Sequence, residues 1–166
     1  WVTYPELVKY AGGIPVIIDT DEISGFKITA DQLRAAITPK TKMIVLTTPS
    51  NPTGSVYSKS ELEALAEVLE GTDIIVASDE MYEKLVYDID FVATASIYED
   101  MYKRTVTING LSKSVALTGW RFGYLATPNK ALIKSMYDLQ SPSTSNIKSL
   151  TQKANITALR AHATTA

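Results

Sequence analysis

The stretch KMIVLTTPSNPTG, residues 42–54, sets a near-continuous apolar run directly against a cluster of turn-forming residues. An unbroken run such as Met43-Ile44-Val45-Leu46 reads as a strand buried on both faces of a parallel sheet, because a half-buried strand would alternate apolar with polar. The Pro49, Asn51, Pro52 and Gly54 that follow end it abruptly. The runs DIIVASD (73–79) and RTVTIN (104–109) repeat the pattern, and IPVIIDT (14–20) and FGYLAT (122–127) read as further strands.

Helical patterns alternate with these runs. Thr29 with Gln32 and Ser58 with Glu61 each fit a capping box, in which the hydroxyl and the side chain three residues on satisfy each other's backbone N–H. After Ser58, the residues Leu62, Leu65, Val68 and Leu69 form one apolar stripe, while Glu61, Glu63 and Glu67 point elsewhere. Residues 129–140 form a further helix carrying Leu132, Ile133, Met136 and Leu139. This alternation predicts an α/β fold with an open, mostly parallel sheet and helices on both faces. No internal repeat, low-complexity tract or linker divides the chain.

Composition narrows the chemistry. The 166 residues are 45% apolar and 20% charged, enough for one sizeable core. A net charge of −2 does not suggest a nucleic-acid surface, and no apolar run reaches membrane-spanning length. The opening residues show no signal-peptide pattern. Cysteine is absent and His162 is the sole histidine, which removes disulfides, thiolate metal sites and cysteine nucleophiles. A Ser-His-Asp triad would depend on His162, which reads better as a solvated surface residue. Trp1 opens the sequence directly and LRAHATTA closes it in what reads as a helix just begun. Both ends suggest a fragment of a longer chain.

In open α/β sheets ligands bind outside the carboxyl ends of the strands. Three of those ends carry unusual groups: Asn51 after the first run, Asp79-Glu80-Met81-Tyr82 at the second, and Ser112-Lys113 after the third. Each has a plain structural reading, as a turn, as a helix N-cap by Asp79, and as a surface lysine. Their coincidence at one sheet edge points further. A lysine at a desolvated strand end can attack an aldehyde, and the Arg121 fork suits a phosphate. Asp79 can hold a proton on a pyridine nitrogen, and Tyr82 and Asn51 can hydrogen-bond a ring oxygen. One molecule bearing all four features is pyridoxal 5′-phosphate.

SNPTG, DEMY and SKSVALTGWRFGY together resemble the three signatures of fold-type I, class I/II aminotransferases. Asn51 lies 28 residues before Asp79 and Asp79 lies 34 before Lys113, as in that family. WVTYPELVKYAGGIPV and QSPSTSN resemble its bacterial aspartate/aromatic branch. The resemblance implies the large, pyridoxal-phosphate-binding domain of the aspartate aminotransferase fold, incomplete here over 1–166, with N- and C-terminal parts of the parent chain absent. It implies that Lys113 forms the internal aldimine and then acts as acid and base. Asp79 would bind the pyridinium nitrogen, Tyr82 and Asn51 the phenolic oxygen, and Arg121, helped by Ser112 or the backbone near Gly110, the phosphate. Trp1 would stack on one ring face and Met81 pack on the other; Trp1 and Asn51 would also meet substrate. The Asn51-Pro52 bond would be cis. Family topology would set one further strand between IPVIIDT and KMIVLTT, so this stretch alone would leave an exposed strand edge.

The activity implied is amino-group transfer from an amino acid such as aspartate to a 2-oxo acid such as 2-oxoglutarate, in a cytoplasmic homodimer. Small-molecule substrates are implied, with no nucleic-acid or membrane partner and no metal. Ser145 and Asn146 resemble a segment that reaches a neighbouring subunit, although Ile147 stands where many relatives have proline. Carbon–sulfur β-lyases and aminocyclopropane-carboxylate synthases share the motifs and remain open, as does a catalytically incompetent piece that folds only with partners. A nucleotide-binding domain lacks support, since neither G-x-G-x-x-G nor a P-loop is present.

Overall fold

The computed structural model describes residues 1–163, with the side chains of His162 and Ala163 outside that description. The expectation for His162 as a surface residue therefore lies outside the described residues. The strands are β1 (Met43–Thr47), β2 (Ile75–Asp79), β3 (Thr105–Gly110) and β4 (Gly123–Ala126). They form one sheet in the order β1-β2-β3-β4. The first three are parallel, in a register that aligns Thr47 with Asp79 and Asp79 with Ile108. β4 runs antiparallel to β3 and pairs Gly123 with Gly110. Three chain ends of the parallel strands thus meet along one edge.

α1 (Thr3–Tyr10) and α2 (Ala30–Ala36) precede the sheet, α3 (Lys59–Leu69), α4 (Glu99–Arg104) and α5 (Leu111–Ser114) connect its strands, and α6 (Lys130–Ser143) and α7 (Ser149–Ala163) follow it. Both capping boxes form. Thr29 Oγ1 accepts the Gln32 N–H while the Gln32 side chain accepts the Thr29 N–H, and Ser58 and Glu61 do the same for α3. The predicted stripe of α3 becomes core: Leu62 and Leu69 are 0% exposed and Leu65 1%, while Glu67 stays in solvent. These side chains pack with Leu33, Leu46, Val76 and Met101 against one sheet face. Burying each large aliphatic side chain of this kind contributes roughly 1.5–3 kcal/mol.

Strand alternation places Ile44 and Leu46 in that core, and Met43 and Val45 on the other face at 49% and 37% exposure. Residues 14–20, expected as a strand, form none. A strand needs a neighbour for its N–H and C=O groups. β1 is an edge, and no strand among the described residues stands beside the run. Ile14, Val16 and Ile17 are accordingly exposed, and only Ile18 packs against the core. The helix expected over 129–140 forms as α6, capped by Asn129 Oδ1 on the Leu132 N–H, but its apolar stripe is uncovered: Ile133 and Leu139 are exposed.

Candidate active site

Each parallel strand delivers one group to the common edge. After β1 the chain turns through Thr48–Pro49 and Asn51–Pro52, both cis. The Gly54 N–H donates to the Ser50 carbonyl at 2.8 Å, and Gly54 takes φ +74°, a left-handed geometry that glycine adopts without penalty. This compact turn holds the Asn51 amide toward the second strand end, where its Nδ2 donates to the Tyr82 hydroxyl at 3.3 Å. Beside the pair, a cavity of about 200 Å³ is lined by Asn51, Pro52, Gly54, Tyr82 and Leu85. A larger cavity of about 300 Å³ lies against the Lys27–Glu61 ion pair and contains none of the candidate residues.

Asp79 is the last residue of β2, and both of its carboxylate oxygens are held. Oδ1 accepts the Met81 N–H at 3.2 Å, and Oδ2 accepts the hydroxyl of Tyr4 from α1. Burial first, and then the adjoining carboxylate, push the Tyr4 phenol well above its ordinary value of 10.0, so Tyr4 remains a donor. Tyr4 had no place in the sequence reading. Its bond spans 75 residues, and the signal available was its position one helical turn after Trp1.

Lys113 follows β3 directly, in α5, and its Nζ stands 5.6 Å from the Tyr82 ring centroid, within cation–π range. Lys113, Asp79, Tyr82 and Asn51 are all half-buried. The turn that carries Lys113 depends on Gly110. A Cβ there would lie 2.7 Å from the Phe122 carbonyl oxygen and 3.2 Å from both Gly123 Cα and the Met81 methyl. That close approach is what lets β4 return beside β3.

The return brings Arg121 and Ser112 to one corner. Thr118 Oγ1 donates to the Ser112 carbonyl at 2.8 Å, and Arg121 Nη1 donates to the Thr118 carbonyl at 2.9 Å. Arg121 is exposed and left-handed (φ 54°). Trp1 is 61% exposed and is tied to the edge through Tyr4, whose N–H donates to the Trp1 carbonyl. Ser145 and Asn146 are exposed after α6. The structure therefore brings Asn51, Tyr82 and Lys113 together and places Asp79 at the same edge. Trp1 and Arg121 lie at its margins, in solvent.

A second residue without a role in the sequence reading is Glu80, buried at 2% exposure although it belongs to the quoted DEMY. Burial pushes its carboxyl above the ordinary value; hydrogen bonds from Thr94 and Ser78 oppose that rise. Among the described residues no helix is long and apolar enough to cross a membrane, and no cluster of side chains could hold a metal ion.

The family model described as aminotransferase class I and II matches residues 1–166. The chain belongs to that family. It is 50% identical over 159 residues to the aspartate aminotransferase of Geobacillus stearothermophilus, covering 95% of this chain and 40% of the relative. It is 49% identical over 161 residues to the aspartate/prephenate aminotransferase of Cereibacter sphaeroides, with 96% and 40% covered. The crystal structure of an aspartate aminotransferase from Rhizobium meliloti superposes with a TM-score of 0.92 at 43% identity, over 96% of this chain and 40% of that one. The chain thus spans about 40% of the length of the relatives it matches. Class I and II aminotransferases use pyridoxal 5′-phosphate. The donor set suits that group: a carboxylate, a phenol–amide pair and a primary amine converge on one edge beside an open cavity.

Proposed function

We propose that this chain is the cofactor-binding part of the large domain of a longer pyridoxal-phosphate-dependent aminotransferase. The enzyme transfers an amino group from aspartate or a similar amino acid to a 2-oxo acid such as 2-oxoglutarate. The observation that carries this reading is the convergence of Asn51, Tyr82 and Lys113, with Asp79, at three adjacent parallel strand ends. The names of the relatives support the choice of aspartate.

When bound, pyridoxal phosphate supplies an aldehyde that captures amines and an electron-poor ring that accepts charge from a substrate's α-carbon. The chain's residues do the rest. Lys113 Nζ is the amine that would hold the aldehyde end of the cofactor, and it is the group placed to carry a proton to and from the substrate carbon. Asp79 holds the ring-nitrogen proton; its own carboxylate is oriented by the Met81 N–H and by Tyr4. The Tyr82 hydroxyl and the Asn51 amide, already paired at 3.3 Å, hold the ring oxygen. Arg121 and Ser112 would hold the phosphate, and Trp1 and Met81 would cover the ring. A homodimer in the cytoplasm belongs to the same reading.

In the full-length protein, Lys113→Ala abolishes transamination and Asp79→Asn severely slows it, measured as 2-oxo acid formed from aspartate. Full turnover by Lys113→Ala would refute the assignment. Release of ammonia and pyruvate without a need for an amino acceptor would refute the reaction class.

A further inference from the structure

We propose that Glu80 is a positioning residue for the cofactor site, clamping the end of β2 from the sheet face opposite Asp79. This rests on the function proposed above and adds to it a residue that touches neither cofactor nor substrate.

Side chains alternate along a strand, so Ser78 and Glu80 face the core side with Val76 while Asp79 faces away. On the core side, Glu80 Oε1 accepts two hydrogen bonds at 3.0 Å, from the Thr94 backbone N–H and from Ser78 Oγ. Ser78 Oγ and Thr94 Oγ1 are 2.8 Å apart. Each hydroxyl has one proton. With Ser78 donating to Glu80, Thr94 donates to Ser78, and the three groups close into a ring. Ser78 and Thr94 are 0% exposed.

A buried carboxylate is costly unless it is hydrogen-bonded or paired. No ion pair among the described residues includes Glu80, and the titratable groups facing it, Glu83 and Tyr124, bring no positive charge. An apolar side chain at this place would give the core as much stability with no such need. What the carboxylate adds is direction. It fixes β2 to the single turn Thr94–Ser96 through directional hydrogen bonds.

The backbone on either side of Glu80 is pinned as well. Its N–H donates to the Ile108 carbonyl of β3 at 2.9 Å, and its carbonyl accepts the Glu83 N–H at 3.0 Å. Residues 79–82 are therefore held at Glu80 by both backbone and side chain. Those four residues carry Asp79 and Tyr82, the groups proposed for the ring nitrogen and the ring oxygen. Loosening the clamp lets both drift, and a polar contact displaced by a fraction of an ångström changes the proton affinity of what it holds.

The test uses the full-length protein loaded with pyridoxal phosphate and compares Glu80→Ala, Glu80→Gln and Ser78→Ala with the parent. Three quantities are read: the cofactor dissociation constant, the pH midpoint of the visible cofactor band, and the unfolding temperature. Glu80→Ala is expected to weaken cofactor binding about tenfold, the effect of slackening one charge-assisted contact that Asp79 or Tyr82 makes to the cofactor, and to displace the band midpoint by about half a unit or more. Glu80→Gln keeps an acceptor oxygen for the Thr94 N–H and is expected to restore both values. Ser78→Ala removes one donor and is expected to displace the midpoint in the same direction by less. A lowered unfolding temperature with an unmoved band in Glu80→Ala would overturn the inference, and so would a Glu80→Gln variant as impaired as Glu80→Ala. Should Glu80→Ala not fold, an unmoved band in Ser78→Ala overturns it instead. A parent protein that shows no cofactor band would remove the underlying function, a result distinct from all of these.

Discussion

Gly110→Ala tests how tightly the sheet edge is built around Lys113. Gly110 is extended (φ 178°), a conformation open to any residue, so the substitution adds no backbone strain. Its cost is contact. The new methyl would sit 2.7 Å from the Phe122 carbonyl oxygen, on backbone that is paired into β4, and 3.2 Å from Gly123 Cα. Restoring ordinary contact requires the two backbones to part by about 0.8 Å, since heavy atoms pack at about 3.5 Å. Overpacking of this kind costs about 1–3 kcal/mol. For a chain of this size each 1 kcal/mol lowers the unfolding temperature by about 2–4 °C, which gives a fall of roughly 2–12 °C by circular dichroism. The displacement acts three residues before Lys113, and misplacement on this scale costs up to about a hundredfold in rate. The expected result in the full-length enzyme is a lower unfolding temperature together with a kcat reduced by about tenfold or more. An unchanged unfolding temperature and an unchanged kcat would refute the reasoning.

Other positions give simpler tests. Leu62→Ala empties a fully buried site in the core cluster and should destabilise the protein by about 2–5 kcal/mol in urea unfolding. Ser58→Ala removes the hydroxyl that caps α3 and should cost about 1 kcal/mol in the same assay, with no effect on cofactor binding. Burial raises the Glu61 carboxyl, but the Lys27 ammonium at 2.6 Å and the Ser58 donors outweigh it and hold the group below its ordinary 4.5. Its stabilising contribution is therefore complete above about pH 4.5 and fades as pH falls through the lower folded value. Lys27→Met should flatten the stability–pH curve in that acid window and leave its slope near neutrality unchanged.

Local signals in the sequence carried most of the fold. The capping boxes at Thr29 and Ser58 depend on residues three apart, and both formed as read. β1, β2 and β4 fall within the runs that announced them and β3 overruns its run by one residue, Gly110, because continuous apolar β-rich sequence has few other uses in a chain of this composition. IPVIIDT has the same local character and forms no strand, because pairing depends on a neighbour and not on the run itself. The exposed stripe of α6 makes the same point for helices: periodicity forms the element, but what covers it lies elsewhere in space.

The candidate site divides in the same way. Asn51, Asp79, Tyr82 and Lys113 could be picked out as candidates because each stands at or just after the end of a recognisable strand run. Tyr4 reaches Asp79 across 75 residues, and its place one turn after Trp1 does not by itself reveal that partner. Glu80 stood inside a quoted motif, but a carboxylate after a strand reads as a solvent-facing residue until Ser78 and Thr94 are seen closing over it.

The most direct test of the account is to mix the purified full-length protein with pyridoxal phosphate, reduce with borohydride and map the tagged peptide. A single tag on Lys113 is the predicted result, since its amine stands 5.6 Å from the Tyr82 ring centroid at the shared strand ends. Tags scattered over several lysines, or a tag on another lysine in preference to Lys113, would contradict it.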